Sequence, residues 1–379
     1  MPVNIMKSYI YADNAATTRL DREAYEAMSP YLLDEYGNAS QPYAFARNPK
    51  KALRQARETI ASCINADPEE IFFTSGGTES DNWAIKSIAM SDGKTHTIIT
   101  SSIEHHAVLH SCAAMEKQGH RVICLEPDNT GVISPETLSK NITKDTALVT
   151  VMFANNEIGT VQPIKELAET AHANGALFHT DAVQAVGHVK IDVRDLGVDM
   201  LSASAHKFNG MKGCGFLYIR KGCSLMPYAD GGSQESGHRA GTENIPGIVA
   251  MAAALKNNCD HLEENRQKIM GMENELLRRL NETGIRYVRN GGTDRLPGLI
   301  SLSFAGAEGE AILHRMDLLG ICISTGSACN SKQTEISHVL KAINLDEEYA
   351  KGTIRISLGK YNTMEDVEKI VSGLKQILL

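Results

Sequence analysis

The sequence predicts an α/β protein in which a mostly parallel sheet lies between helices, followed by a smaller α+β domain. Up to about residue 219, short apolar or β-branched runs alternate with amphipathic segments of helical length. This alternation is typical of a parallel sheet covered on both faces. After a long helical segment, the patterns change to strand, helix, short strand, helix, strand and helix. That order indicates a second, compact domain.

Seven runs are predicted as strands of the large sheet, because each is short and rich in apolar or β-branched residues. Some of the intervening segments are amphipathic, as in PIKELAETAHANG, where Ile164, Leu167 and Ala171 share one helical face. Ligands of such sheets bind at the carboxyl ends of the strands. The seven runs are IFFT at Ile71, TIIT at Thr97, RVICL at Arg121, ALVTVMFA at Ala147, ALFHT at Ala176, MLSASA at Met200 and GFLYI at Gly215.

The domain boundaries follow from the segment after these strands. From Pro246 to about Gly284, apolar residues recur at helical intervals with no further proline, which predicts one long helix linking two domains. The patterns GLISLSF, EGEAILHRMDLLG, ICIST and GTIRISLG, and a final helix opened by Thr363, complete the second domain. We predict a large domain over residues 13–258 and a small α+β domain formed by residues 1–12 and 259–379.

Composition argues against several classes of partner. With 46 acidic and 38 basic residues the formal net charge is -8, and no basic run is present, so we expect no nucleic-acid partner. No apolar run approaches the roughly 20 residues of a spanning helix, and the N-terminus lacks a secretory signal pattern. We therefore expect a cytoplasmic protein without membrane contact. Eight cysteines without CxxC pairs indicate neither a disulfide framework nor a zinc site.

A candidate phosphate site follows the first strand of the sheet. In IFFTSGGTESDNWAI, the residues Ser75, Gly76, Gly77 and Thr78 join the strand to a helix. Free backbone N–H groups and the positive end of the helix dipole favour an anion at such a position. Taken alone, the motif is equally consistent with an ordinary strand-to-helix turn.

Two charged residues follow neighbouring strands, Asp181 after ALFHT and Lys207 after MLSASA. We expect them to face one crevice, where a buried carboxylate needs a positive partner and a buried lysine amine is nucleophilic toward aldehydes. A phosphate anchor, a partner for a pyridinium nitrogen and a Schiff-base amine are what pyridoxal phosphate requires. A helix N-cap is the structural alternative for Asp181.

Histidines in SSIEHHAVLH are further candidates. His106 and His110 lie four residues apart, a spacing that would suit a metal on a helix. Because no suitably spaced glutamate or cysteine accompanies them, we predict no metal site and favour an imidazole stacked on a cofactor ring.

Cys329 and Arg355 carry reactive or charged groups in the second domain. Cys329 follows the small residues of STGSA and lies outside any apolar periodic run, which favours exposure and reactivity. In GTIRISLGK, Arg355 alternates with apolar residues, so its guanidinium is predicted to be free for a carboxylate. A surface ion pair is the alternative.

Taken in order, these motifs resemble those of cysteine desulfurases of the nitrogen-fixation and iron–sulfur-cluster type. The resemblance implies a fold-type I pyridoxal-phosphate enzyme of the class-V aminotransferase-like family, normally a homodimer. The matching stretches run from YADNAATT to RISLGK and include TSGGTESDN, EHHAV, NNEIGTVQPI, HTDAVQAVGH, SASAHKF, GHRAGTENIPGIV and STGSAC.

The resemblance also implies a role for individual residues. Lys207 would bind the cofactor covalently and act as the base, His105 would stack on its ring, and Cys329 would accept the sulfur. Asn156 and Arg355 would bind the substrate carboxylate. The remaining cofactor contacts would come from Asp181 at the pyridine nitrogen, Gln184 at the phenolate oxygen, and Gly77, Thr78, Ser204, His206 and the partner subunit's Thr242 at the phosphate.

The implied reaction converts L-cysteine to L-alanine and leaves a persulfide on Cys329, which passes to a sulfur-acceptor protein such as an iron–sulfur scaffold or a tRNA thiolation enzyme. A selenocysteine lyase, and an aminotransferase or β-lyase without persulfide chemistry, remain alternatives. The stretch NSKQTE after STGSAC resembles the group of the family with the longer cysteine loop, and this resemblance favours cysteine over selenocysteine. A non-catalytic pyridoxal-phosphate-binding or sulfur-relay protein would predict damage to Lys207, Asp181 or Arg355, and all three are intact.

Overall fold

The fold is taken from a computed structural model that describes residues 9–91, 93–326 and 336–379. Its strands are β1 (Ile10–Tyr11), β2 (Ile71–Thr74), β3 (Thr97–Ser101), β4 (Arg121–Leu125), β5 (Thr146–Thr150), β6 (Leu177–Asp181), β7 (Met200–Ser204), β8 (Gly215–Ile219), β9 (Tyr287–Arg289), β10 (Leu299–Phe304), β11 (Ile321–Cys322) and β12 (Thr353–Ser357).

The α-helices alternate with these strands through most of the chain. They are α1 (Arg22–Met28), α2 (Pro30–Leu33), α3 (Arg47–Cys63), α4 (Gly77–Met90), α5 (His106–Glu116), α6 (Pro135–Asn141), α7 (Ile164–Ala173), α8 (Val193–Leu196), α9 (Ile245–Asp260), α10 (Leu262–Glu282), α11 (Gly309–Leu318), α12 (His338–Ala342), α13 (Glu347–Ala350) and α14 (Met364–Leu378).

The seven predicted runs all form strands of one sheet, with the order β2-β8-β7-β6-β5-β3-β4. Strand β8 is antiparallel to both of its neighbours, and the other adjacent pairs are parallel. The prediction of a mostly parallel seven-stranded sheet is therefore confirmed. One strand is shorter than its apolar run, because β5 ends at Thr150 while residues 151–154 continue as buried chain beyond the sheet.

Both faces of this sheet are covered, which explains the continuous apolar runs. Neighbouring residues such as Ile98 and Ile99 belong to different hydrophobic clusters, and so do Leu148 and Val149. Side chains alternate between the two faces of a strand, so each face packs on its own helical layer. Helices α4 and α5 contribute to one layer, and α7 and α9 contribute to the other.

A separate core forms around the three-stranded antiparallel sheet β12-β10-β9. It includes side chains of α10, α11 and α14 and, from the other end of the chain, Ala12. Strand β1 reaches this region because it pairs in parallel with β11. The boundaries at residues 13–258 and 259–379 stay a prediction, supported by the presence of these two cores.

The single long helix predicted from Pro246 to Gly284 is wrong, since α9 and α10 are separated at His261. At the break, His261 Nδ1 lies 3.0 Å from the Asn257 carbonyl oxygen. Three residues before His261, Asn258 Nδ2 donates to the Phe208 carbonyl at 2.7 Å and ties the end of α9 to the chain that follows β7. Polar side chains that bond to backbone groups compete with helix continuation.

Large apolar side chains are exposed from the end of α2 through the segment between α2 and α3. Leu33 is 81% exposed and Tyr36 is 72% exposed. The ring of Tyr36 packs edge-on against Phe45, with 5.0 Å between the ring centroids. Concentrations of exposed apolar side chains mark sites of protein contact more often than isolated ones do.

Among the helices of the described ranges, none combines the length and the apolar character needed to cross a bilayer.

The last helix, α14, should depend on its N-terminal cap. Thr363 Oγ1 accepts from the Asp366 N–H at 3.2 Å, and Asp366 Oδ2 accepts from the Thr363 N–H at 3.0 Å. We expect Thr363→Ala to lower the free energy of unfolding by about 1 kcal/mol. Urea unfolding followed by circular dichroism measures this change. Thr363→Ser keeps the oxygen and should match the wild type; an unchanged midpoint for the alanine variant would contradict the prediction.

Candidate active site

Lys207 ends a short 3₁₀ turn that directly follows β7. Its Nζ donates to the carbonyl oxygens of Ala15 at 2.6 Å and Ala16 at 2.9 Å. These alanines belong to the YADNAATT stretch, to which sequence reasoning gave no individual role. The amine is thus held at the carboxyl edge of the sheet by the N-terminal segment.

Asp181 is the last residue of β6, the strand next to β7, and its side chain is buried. Its Oδ1 accepts from the Val183 N–H at 2.9 Å. Burial raises the pKa of this carboxyl, while the neighbouring His105 and Lys207 lower it in part. A further cation beside the carboxylate, such as a protonated pyridine nitrogen, would offset the cost of burial. Sequence reasoning correctly predicted that Asp181 and Lys207 share one crevice.

The start of α4 packs closely against the ends of β6 and β7. Gly76 is the N-cap of α4, with φ of 148° and no side-chain cap. A Cβ on Gly77 would lie only 2.5 Å from Val183 Cγ2, and one on Gly76 would lie 3.3 Å from Ser204 Oγ. Glycine therefore permits the close approach. The N–H groups of the first turn of α4 are left next to Ser204, in an arrangement suited to a phosphate.

Further polar groups complete this end of the site. His206 Nδ1 lies 3.1 Å from Thr17 Oγ1. Burial, together with the charge of Lys207, lowers the pKa of His206 to about 4, so the imidazole is neutral at physiological pH. Gln184 Nε2 donates to the Ala15 carbonyl at 3.0 Å. His105 is the N-cap of α5, where its Nδ1 accepts from the Ala107 N–H at 3.1 Å.

The prediction that the Arg355 guanidinium is free is wrong, and the alternative prediction of a surface ion pair is wrong as well. Arg355 is buried on β12, where Nη2 donates to Asp13 Oδ1 and Nη1 to the Asn156 carbonyl, each at 2.8 Å. Asp13 lies far away in the sequence, so strand periodicity gave no sign of it. Arg355 Nε is buried and has no hydrogen-bond acceptor among the described residues.

These groups line one cavity of about 550 Å³ between the large sheet and β12. The size lies within the usual range for small-molecule sites. Thr242 does not line it; this residue is exposed on the chain before α9. Cys329 lies outside the described residues. The predicted residues that line the cavity are Gly77, Thr78, His105, Asn156, Asp181, Gln184, Ser204, His206, Lys207 and Arg355.

Three buried carboxyl groups in the cavity wall were missed by sequence reasoning: Asp81, Glu104 and Glu157. Burial is the main cause of a raised pKa in each case, to about 8 for Glu104 and about 7 for Glu157. For Asp81, the charge of nearby Asp181 raises the pKa further. Glu104 and Glu157 lie within the motifs EHHAV and NNEIG, but only the fold shows that their side chains are buried.

Imidazole rings adjoin the cavity on the α5 side. The ring centroid of His106 lies 5.3 Å from that of His110 and 5.1 Å from that of His338. Burial and the neighbouring imidazoles lower the pKa of His106, which favours the neutral form of this ring. Over residues 9–91, 93–326 and 336–379, no group of three or more His, Cys, Asp or Glu side chains has an arrangement that could hold a metal ion.

Comparison with known proteins defines the class. The family model described as "Aminotransferase class-V" matches residues 10–370, so the chain belongs to this family. A solved structure titled "NifS-like protein" superposes with a TM-score of 0.92 and 37% identity, covering 98% of this chain and 99% of that one. A structure titled "SspA in complex with cysteine" has a TM-score of 0.83 and 36% identity, covering 93% of this chain and all of the other.

The relatives found by sequence define the enzyme more narrowly than the family model does. The "Cysteine desulfurase IscS" of Methanosarcina thermophila is 47% identical over 370 residues, which is 97% of this chain and 92% of the relative. The protein of the same name from Dictyoglomus turgidum is 47% identical over 375 residues, which is 98% of this chain and 95% of the relative. The chain belongs to the cysteine desulfurases, which are sulfurtransferases dependent on pyridoxal 5′-phosphate. The family, enzyme class, fold type and cofactor predicted from the motifs are confirmed.

The residues present fit this cofactor. The first turn of α4, which glycines allow to pack closely on the strand ends, suits the cofactor phosphate. The Lys207 amine lines the same cavity and suits the aldehyde carbon of the cofactor. Asp181, whose burial raises its pKa, suits a protonated ring nitrogen. The individual residue contacts remain predictions, because the family match fixes the cofactor and not the partner of each atom.

The close approach at Gly77 can be tested. We expect Gly77→Ala to weaken pyridoxal-phosphate binding about tenfold or more, since its Cβ would lie 2.5 Å from Val183 Cγ2 and overpacking costs about 1–3 kcal/mol. Titration of the apoenzyme, followed by cofactor absorbance, measures the affinity. Adding Val183→Ala to the same chain removes the clash and should restore binding. If the double variant binds as weakly as the single one, close packing is not the cause.

Proposed function

We propose that the protein removes sulfur from L-cysteine, releases L-alanine and holds the sulfur as a persulfide on Cys329. The observation that carries this proposal is the meeting of Asp181, Lys207 and Arg355 in one cavity. The cavity thus combines a partner for the cofactor ring nitrogen, an amine for the cofactor aldehyde and a receptor for the substrate carboxylate. The relative titled as a complex with cysteine supports the choice of amino acid.

Arg355 and Asn156 are proposed to bind the substrate carboxylate. Asp13 and the Asn156 carbonyl already engage two Nη atoms of Arg355, which fixes the guanidinium plane. Its buried Nε N–H has no acceptor among the described residues. A substrate carboxylate would supply one, and the charge-assisted bond would favour a single orientation of the amino acid.

Lys207 and Asp181 are proposed to control protons. Bound pyridoxal phosphate supplies an electron sink for the carbanion formed at the substrate Cα. Lys207 Nζ takes the Cα proton, and the Asp181 carboxylate holds a proton on the pyridine nitrogen. The backbone contacts of Lys207 and Asp181 keep both groups at the same edge of the sheet.

Cys329 is proposed to receive the sulfur. Its thiolate attacks the substrate sulfur and forms an S–S bond, while the C–S bond of the substrate breaks. The carbon skeleton gains protons and leaves as alanine. The atoms and electrons of the reactants, cysteine and the Cys329 thiol, equal those of the products, alanine and the Cys329 persulfide, so no external oxidant is needed. A sulfur-acceptor protein would then take the terminal sulfur, in iron–sulfur cluster assembly or tRNA thiolation.

Replacing Cys329 tests this chemistry. We expect Cys329→Ala to lose almost all alanine and sulfide formation from L-cysteine with a reductant present, at matched cofactor loading, because no thiol receives the sulfur. Cys124→Ala is the control, since Cys124 is an exposed free cysteine on the edge strand β4. It should keep wild-type turnover. Full activity of Cys329→Ala would instead favour a β-lyase or an aminotransferase without persulfide chemistry.

We also propose a homodimer in the cytoplasm, with Thr242 of each subunit at the partner's cofactor phosphate. The exposed position of Thr242, away from its own cavity, is consistent with this placement. The exposed apolar side chains between α2 and α3 offer a surface that a partner could cover.

Subunit mixing tests the shared site. Lys207→Ala and Thr242→Glu should each be nearly inactive alone. A mixed dimer would carry one site with both Lys207 and Thr242 intact, so an equal mixture should recover about a quarter of wild-type activity, because half of the dimers are mixed. Activity is measured after co-expression and after mixing with exchange. No recovery, despite demonstrated mixed dimers, would place Thr242 in its own subunit's site or outside the site.

A further inference from the structure

Glu157 occupies an unusual place beside the second domain. It follows Asn156 in a tight turn in which Asn155 Oδ1 accepts from the Glu157 N–H at 2.8 Å and from the Ile158 N–H at 3.0 Å. The backbone of Glu157 is therefore rigidly placed. Its side chain is buried and lines the same cavity as Lys207.

The carboxyl of Glu157 accepts a hydrogen bond from one residue and lies close to another, and both are distant from it in sequence but flank the same stretch of chain. Ser337 Oγ donates to Glu157 Oε2 at 2.6 Å. A Cβ placed on Gly326 would lie 2.5 Å from the same Oε2 and 3.7 Å from Ser337 Cβ. Gly326 and Ser337 immediately surround the part of the sequence that contains Cys329. The chain thus leaves at Gly326 and returns at Ser337 beside one carboxyl group.

Both contacts are built into the surrounding structure. Ser337 Oγ also accepts from the Val339 N–H at 3.1 Å, and so caps α12. On the other side, the backbone of Ser324 pairs with that of Arg355, at 3.0 Å and 2.7 Å for the two bonds. Glu157 therefore connects the start of α12 to the segment that follows the Arg355 pairing. A hydrogen bond to a buried carboxyl is stronger than one in water.

We propose that Glu157 is a positioning residue that fixes both ends of the Cys329 segment, at Gly326 and Ser337, and so sets the rate of sulfur transfer to Cys329. This inference rests on the proposed role of Cys329 as the sulfur acceptor. Holding the two ends of a segment restricts the positions that its residues can reach, and misplacement by about 1 Å can cost about 100-fold in rate. In the proposed binding mode the substrate carboxylate is received by Arg355 and Asn156, and the Glu157 carboxyl has no part in that contact.

The test separates sulfur transfer from substrate binding. We expect Glu157→Ala holoenzyme to lose kcat about tenfold or more, while KM for cysteine changes by less than about twofold. The cofactor absorbance change on adding cysteine, which reports binding, should keep its wild-type concentration dependence. In the absence of reductant, mass spectrometry of the Cys329 peptide should show a slower appearance of the persulfide in a single turnover.

Conservative and control variants exclude a general loss of structure. Glu157→Gln keeps an acceptor oxygen for Ser337 and should stay within about threefold of the wild type. Ser337→Ala removes the donor and should lower kcat in the same way as Glu157→Ala. Glu273→Gln is the matched control, because Glu273 is also buried and accepts from the Gly298 N–H at 2.7 Å, but lies outside the cavity. It should not change kcat at equal cofactor loading.

A double-mutant cycle tests the contact itself. The Cβ of Gly326→Ala would meet Glu157 Oε2 at 2.5 Å, so this variant should also lose kcat. Removing the carboxyl makes room for the Cβ, and the double variant with Glu157→Ala should be no slower than either single variant. Fully additive losses would overturn the proposal.

Three further results would overturn it: wild-type kcat in Glu157→Ala, equal losses in kcat and in cysteine binding, or a Glu157→Gln variant as slow as Glu157→Ala. These outcomes are distinct from failure of the proposed function. If Cys329→Ala itself keeps full activity, the sulfur-acceptor role fails whatever Glu157 does. If Cys329→Ala is inactive and Glu157→Ala is unaffected, only the positioning role fails.

Discussion

Hydrogen bonding of the backbone around Lys207 is the constraint on which the site depends. The chain leaves β7 there and no longer has a sheet neighbour to satisfy its carbonyl groups, yet buried carbonyls require donors. The Lys207 carbonyl accepts from His188 Nε2 at 2.9 Å. The next carbonyl, that of Phe208, accepts from Asn258 on α9 at 2.7 Å. The position of the lysine is therefore fixed by parts of the chain that precede and follow it.

Buried carboxyl groups are prominent in the electrostatics of the cavity. Asp181, Glu104 and Glu157 all have raised pKa values, with burial as the first cause. The positive charge of Arg355 lowers the pKa of Glu157 in part, and the charge of Lys207 does so for Asp181. The low dielectric that penalises these carboxylates also strengthens each hydrogen bond and ion pair that they make. A cationic ligand group is therefore favoured beside Asp181.

Much of the fold and site could be predicted from local sequence, and the errors have a common physical origin. Strand periodicity placed Arg355 on one face of β12, but its ion-pair partner, Asp13, is 342 residues away. Helical periodicity continued through His261, but side chains at the end of α9 bond to backbone groups and to the Phe208 carbonyl. The carboxylate partner of Arg355 and the Phe208 carbonyl bound by Asn258 both come from distant segments, and local patterns carry no record of such contacts.

The sequence by itself determined the alternation of strands and helices, the strand-end positions of Asp181 and Lys207, and the family, because these depend on the order of residue types along the chain. Only the tertiary structure decided which further groups share the cavity wall with Asp181 and Lys207. The burial of Glu157 and its closeness to both Gly326 and Ser337 accompany the packing of α12 against the chain that follows β3 and β5. Desolvation and long-range contacts exist only once the chain has folded, so no local pattern could specify them.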